Sequence, residues 1–334
     1  MTYPAKNVST HNHTPKGFVM RWLLALVPIV ALATAADPPP KITPGKVIIP
    51  TDKMRRIWGE LVSIDPKTRT GTFRNESDDV VMPFAVMPYA ELLHHAARGD
   101  LQDFKVGERA IFRLHEDADG KWVYLTYIQD EMNFQAGHKE YYWVDAIDAK
   151  AGKITFTQAN ADKSFTRETG LVLETDANTK YWKKGKAAAF TDIKVGDKLL
   201  AKTHGIGKGK HRVCWEIFLD DESRDAVRDE QRAVHAKRMT AEGLPGYVDE
   251  AKDTTLKVTL FSEGAELAKG LKVGQKVKVA PTGADRKLTA DPVTGTVTTV
   301  TAIRGNLYEV VVKVDAIAGF KPAGVARLWA AKPE

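Results

Sequence analysis

Cysteine is nearly absent from this chain. Cys214 is the only one among 334 residues, so no intramolecular disulfide holds the fold and packing alone must do so. Cys214 is then either a small buried hydrophobe or a free thiol. The familiar catalytic signatures are missing too. There is no G-x-S-x-G, no H-E-x-x-H and no glycine-rich turn from a strand into a helix, and we expect no enzyme. A pair of hydrolytic carboxylates leaves no trace in sequence, so an envelope hydrolase stays open as an alternative. Excess charge is also scarce. The formal +6 includes Lys6, Lys16 and Arg21, which lie in an acid-free stretch of 35 residues. Without them 46 basic residues face 43 acidic ones, a mixed solvated surface that argues against a nucleic-acid partner.

Long apolar runs are absent except for one. Arg21 precedes an apolar stretch from Trp22 to Leu32, broken by Pro28 and closed by Ala33-Thr34-Ala35. It falls short of the ~20 residues that span a bilayer, and the small residues fit an A-x-A cleavage site. Residues 1–35 therefore read as an export signal cut before Ala36, with Met20 as an alternative start. No cysteine follows to carry a lipid. The expected destination is the periplasm or cell exterior, with no membrane span after cleavage. Residues 36–53 then form a stiff linker, with five prolines in 37–50.

What the chain does have is repetition. "LVSIDPKTRTGTF" (61–73) matches "VDAIDAKAGKITF" (144–156) at an offset of 83 residues, and "DFKVGERAIFRLH" (103–115) matches "DIKVGDKLLAKTH" (192–204) at an offset of 89. The growing offset means that loops vary over a common scaffold. Each unit closes on an acidic phrase, "QDEM" or "DDES", whose Asp130/Glu131 and Asp221/Glu222 read as ordinary strand ends. Fainter copies follow in "GYVDEAKDTTLKVTL" (246–260), "GLKVGQKVKVAP" (270–281) and "GTVTTVTAIRGNLYEVVVKV" (295–314), with "GFKPAGVARLW" (319–329) as a decayed K-V-G step. Residues 244–331 thus form a further β domain, either whole or as two half-units sharing a core.

Short β-branched and aromatic runs between Gly, Asp and Lys turns predict strands. "PYAELLHHAARG" (88–99), with Pro88 at its start and Gly99 at its end, predicts a short helix between strands three and four. That is the arrangement of an OB-like barrel. The K-V-G glycines, Gly107 and Gly196, should bend the chain with Val106 and Val195 packed inward. Residues 220–246 predict one long helix, acidic at its start and stopped by Gly243 and Pro245. Its thin apolar stripe predicts an exposed linker on which His235 is solvated. The expected fold is mainly β: tandem small OB-like barrels over 54–134 and 138–222, a linker helix over 223–243, and the C-terminal β domain.

"THGIGKGKHRVC" (203–214) looks most like a site when read alone. A phosphate cradle needs a helix after its glycine loop, and here a strand follows. The repeat sets "GIGKGK" opposite "EDADG", so the stretch reads as a variable hairpin. His204, His211 and Cys214 remain a candidate zinc or copper set. A second set is Met82 and Met87 with His94, whose soft thioethers suit Cu(I); the alternative is two methionines packing a barrel base.

The order "SID…TF…MPFAVMP…FKVGERAIFRL" resembles the small periplasmic copper-chaperone barrels. In those an OB fold binds metal through a methionine pair beside a tryptophan and an earlier histidine. The resemblance implies roles for Met82 and Met87, although here they are five apart, lack a neighbouring Trp, and "FRNESDD" holds no His. Both units, above all "TDANTKYWKKGKAAAFTDIKVGDKL" (175–199), also resemble uncharacterised OB-like repeats found in tandem in exported bacterial proteins. Finally, Tyr141, Trp143, Tyr181 and Trp182 beside Lys183 offer a platform for a sugar or another flat polar ligand. The expectation is a non-enzymatic binding or scaffold protein for an envelope polymer, glycan or protein, with no cofactor. The first alternative is a copper- or zinc-binding protein.

Overall fold

Four copies of one hairpin recur along this molecule. The structure, a computed structural model, describes residues 54–204, 211–303, 306–317 and 319–330. The expected export signal, the linker and the 205–210 turn lie outside the described residues, as does the side chain of His211.

Barrel 1 contains β1 (Arg55–Asp65), β2 (Thr70–Asn75), β3 (Val81–His94), β4 (Ala97–Arg98), β5 (Arg109–Glu116) and β6 (Trp122–Asp130), followed by α1 (Glu131–His138). Pairing runs β1-β2-β3-β6-β5 and back to β1, with β3 parallel to β6. Barrel 2 repeats this with β7 (Glu140–Asp148), β8 (Lys153–Asn160), β9 (Thr166–Glu174), β10 (Lys180–Lys183), β11 (Lys186–Ala187), β12 (Lys198–Thr203) and β13 (His211–Phe218). Its ring is β7-β8-β9-β13-β12, again with one parallel pair, β9 with β13. After α2 (Asp221–Glu242), barrel 3 holds β14 (Leu244–Lys252), β15 (Thr255–Leu260), α3 (Ala265–Ala268), β16 (Lys276–Thr282), β17 (Val293–Ala302), β18 (Tyr308–Val314) and β19 (Val325–Ala330). They close in the order β14-β15-β18-β17-β16-β19. Each barrel has its own apolar core.

The opening strands β1, β7, β14 and β17 share one irregularity. Each bulges one residue after a fully buried Leu61, Val144, Val248 or Val297, which re-aims the strand as it bends around the barrel. The residue before each bulge bonds to a K-V-G-like turn: Leu61 to Gly107, Val144 to Gly196, Val297 to Gly274, and Val248 to Ala323 and Gly324. In barrels 1 and 2 strand and turn belong to the same unit. In barrel 3 they are exchanged, so β17 meets the turn before β16, and β14 meets the turn before β19. That exchange joins two half-units into one closed ring.

The turns correct one expectation. Val106 and Val195 are exposed, not packed inward. Lys105-Val106-Gly107-Glu108 is a turn with Gly107 at φ +88 in its third position, which is type II geometry, and its second residue points outward. The Lys105 N–H then donates to the Glu108 carboxylate, as Lys194 does to Asp197.

Residues 88–99 are also not a helix. Burial alternates through Ala90, Leu92 and His94 while Tyr89, Glu91 and Leu93 are less covered, the period of a strand. His95 and Ala96, both with φ near +50, form the two-residue turn of the β3–β4 hairpin. A 3-10 turn, Leu101–Asp103, occupies the place of the expected helix.

α2 spans the expected residues but is not an exposed linker. Ser223, Val227, Gln231, His235 and Met239 are buried at four-residue spacing, and the helix packs on β4, β10, β13 and β19. His235 is buried and bonds the Glu263 carbonyl through Nε2. The acidic phrases are helix caps: Asp130 accepts from the Asn133 N–H and Asp220 from the Ser223 N–H. Among the described residues no helix is long and apolar enough to cross a membrane.

Candidate functional site

Barrels 1 and 2 meet across buried charge. Lys202, on β12, points out of barrel 2 into the end of barrel 1, where the β3–β4 hairpin, the turn before β5 and the cap of α1 converge. Its ammonium lies 2.6 Å from Glu108 Oε1, 3.2 Å from Asp130 Oδ2 and 2.8 Å from His94 Nε2. An ammonium has no acceptor, so His94 Nε2 accepts and Nδ1–H donates to Gln231 Oε1 at 3.0 Å. Gln231 passes its own N–H to Asp103 Oδ2, which Arg238 also holds. His95 packs tilted against His94, with centroids 4.0 Å apart and ring planes at 37°, and donates through Nε2 to Glu216.

Burial by itself lowers the Lys202 pKa, but Glu108 and Asp130 outweigh it and raise the pKa above its ordinary value. The same ammonium holds the Glu108 and Asp130 carboxyls below their usual range despite desolvation. Burial lowers His95. Glu216, desolvated yet bonded to His95, drops to about 2.

His94, His95 and Asp130 gather ligand atoms within 4.8 Å of one another, a metal-like spacing. Lys202 already supplies a cation to two of them, so these donors as arranged do not suit a second one. The other sequence candidates are dispersed. Met87 lies in the barrel 1 core and Met82 packs against it, while His94 belongs to the ionic junction. His204 stacks on Trp215 at 3.7 Å. Cys214 is buried in the barrel 2 core, where desolvation pushes its thiol well up.

The aromatic candidates do not form one platform. Tyr181 packs on the barrel 2 core. Tyr141 and Trp182 pack on Met132, Leu200, Phe218 and Val227 beneath α2. Trp143, two residues from Tyr141 on β7, shares the Lys198 ammonium with it, 5.5 and 5.4 Å from the two ring centroids, and Lys163 also lies over Trp143. Lys183 sits on the β10–β11 hairpin.

A cleft that the sequence reading missed runs along the other side of the junction. Its walls are strands β1 and β5, helix α1 and the start of β9. Arg56 and Arg113 are direct cross-strand partners. The Arg56 guanidinium lies 5.5 Å from the Phe134 centroid, and Arg167 of barrel 2 lies 5.2 Å from the same ring. Arg113 covers Tyr127 at 4.1 Å and Arg109 covers Trp58 at 3.9 Å. Arg109 is fully engaged by Glu76 and Glu131, and Arg167 is bidentate to Glu140. Among the described residues Arg56 and Arg113 form no ion pair, and burial together with the charges of Arg113 and Arg167 lowers Arg56. Two hollows of about 320 and 130 Å³ share Trp58 and Arg109.

No family model and no curated protein matches the chain. A solved structure titled "drosophila Unr CSD456" aligns with 79% of this chain and 98% of its own length, at 11% identity and a TM-score of 0.18. The likeness is too slight to carry an argument.

The repeat held a signal for the missed residues. Lys202 and Arg113 occupy the same register position at the offset of 89, opposite Glu216 and Tyr127 respectively. In barrel 2 that basic position is covered by the carboxylates of barrel 1. In barrel 1 no carboxylate among the described residues pairs with it, and its cross-strand neighbour is Arg56, which lines the larger hollow.

A third feature lies on the far side of α2. A cavity of about 490 Å³ is lined by Leu93, Ala96, Ala97, Arg98, Ala236, Met239 and Leu267, among others. It joins barrel 1, α2 and barrel 3.

Proposed function

We propose that this chain is an exported, non-enzymatic binding protein in which three fused barrels act as a rigid scaffold. The ligand lies in the cleft between barrels 1 and 2, and the expected ligand is an envelope polymer or glycan. The observation that supports this is the Arg56–Arg113 pair. Like charges set directly opposite on neighbouring strands weaken a sheet, and a protein that keeps them uncompensated gains by meeting an outside group. The export signal read at residues 1–35 supports the compartment.

The test has two parts. The secreted chain should begin at Ala36 by N-terminal sequencing. The mature chain should bind at least one member of a panel of envelope polymers and glycans, and Phe165→Ala, which removes the half-exposed ring beside the Arg167 guanidinium, should weaken that binding. A blank panel, or binding indifferent to Phe165, would overturn the cleft reading. Turnover of a bound polymer, lost on changing Glu76 or Glu168, which line the larger and the smaller hollow, to Gln, would replace it with a hydrolase.

The cavity beside α2 favours a second, smaller ligand. Leu93, Met239, Leu267 and several alanines give it an apolar surface, and Glu91, Arg98, Arg232 and Glu266 add charged groups to its wall. Ala236→Trp should fill it and abolish uptake of any apolar fluorophore bound there. Unchanged uptake would remove this reading.

A further inference from the structure

Among the described residues no carboxylate pairs with Arg56 or Arg113, whereas the counterpart of Arg113 in barrel 2 has two. At the register position of Arg113, barrel 2 carries Lys202, and Lys202 is covered by Glu108 and Asp130 of barrel 1. The repeat therefore displays what this position accepts when it is occupied. Arg113 and its cross-strand neighbour Arg56 present the same kind of position uncovered, and Arg167 approaches from barrel 2 across the shared Phe134 ring.

The rings decide between kinds of anionic polymer. Single-stranded nucleic acid is held by successive bases stacking on free aromatic faces. Here guanidinium groups already cover Trp58 and Tyr127, and Phe134 is buried. Among the described rings of this group Phe165, 51% exposed, is the least covered, with the Arg167 guanidinium 5.6 Å from its centroid. One half-exposed ring beside planar guanidinium forks suits one sugar face and the carboxylate it carries.

We propose that the cleft takes a carboxylated polysaccharide of the uronate type, with Arg56 and Arg113 reading the carboxylate and Phe165 stacking on a sugar ring. This deepens the binding reading above and rests on it. The like-charged pair is then a stability cost kept for recognition.

The mature chain is titrated with polygalacturonate, its methyl ester and a single-stranded DNA homopolymer, each at low and high salt. Polygalacturonate should bind, weaken with salt, and outbind the ester by about tenfold or more. Arg56→Gln and Arg113→Gln should each cost about tenfold in affinity while leaving the melting temperature unchanged or higher. A lower melting temperature in both variants would make the pair structural and overturn the proposal. DNA binding as tight as polygalacturonate would overturn it in favour of nucleic acid. Ester binding of equal strength, still lost in Phe165→Ala, would sink the uronate class and spare the cleft. No binding to any polymer here or on the wider panel would sink both.

Discussion

The Lys202 ammonium of barrel 2 donates to His94 Nε2 of barrel 1 at 2.8 Å. This makes the imidazole an acceptor on one side and a donor to Gln231 of α2 on the other. A polar chain thus runs from the second barrel through the first into the long helix. Its centre is an ammonium between two buried carboxylates, and that sets the first prediction. Lys202→Met leaves Glu108 and Asp130 buried without a counter-charge. The expected loss is about 3–5 kcal/mol of unfolding free energy, the usual result of breaking a buried pair from one side. Denaturant midpoints measure it, and a loss below about 1 kcal/mol would show that the junction does not rest on this lysine.

Acid should weaken the same junction. Glu216 is depressed from 4.5 to about 2 in the fold. A depressed carboxyl stabilises fully above its unfolded pKa, so this contribution, roughly 3 kcal/mol, is present above pH 4.5 and lost as pH falls toward 2. His95 acts in the same direction. Its folded pKa is lowered from 6.5, so the unfolded chain takes up a proton first and stability declines as pH falls below that value. Thermal melts between pH 7 and pH 3 should therefore fall steadily, and Glu216→Gln should flatten the acid limb. Identical pH profiles for the two proteins would contradict this.

The two repeated turns should differ in tolerance. Gly107 and Gly196 both sit near φ +90, yet an added Cβ at Gly107 would lie 2.9 Å from His204 Nδ1, whereas at Gly196 it meets nothing within 4 Å. Both alanine variants should lose about 1 kcal/mol for the left-handed backbone, and Gly107→Ala should lose more because His204 is stacked on Trp215. Equal losses would show that the ring moves aside freely.

Cys214 should be inert in the folded protein. Its thiol is buried in the barrel 2 core and its pKa is raised by desolvation, so the nucleophilic thiolate is scarce. A colourless-to-coloured disulfide reagent should label it only when denaturant unfolds barrel 2. Rapid labelling of the native chain would overturn the assignment.

The repeated phrases were legible because they encode local geometry. Asp65 and Asp148 each accept from backbone N–H groups two and three residues on, and such turns need particular residues at particular spacings. α2 was legible in extent but not in role. Three of its five buried positions, Ser223, Gln231 and His235, are polar, so no apolar stripe announced the buried face. Pro88 and Gly99 imitated helix ends, while the two-residue alternation between them was the better guide to a strand.

Charge was the least legible property. Lys202, Glu108 and Asp130 look in sequence like any surface lysine or acid, and Arg113 looks no different from Lys202. The chain by itself determined the hairpins, the turns and the repetition that makes this a mainly β protein of small barrels, because those depend on neighbours in sequence. Only the tertiary structure decided that Lys202 is covered by carboxylates and Arg113 is not. Burial and the approach of distant charges set that difference, and both arise from how one barrel docks on another.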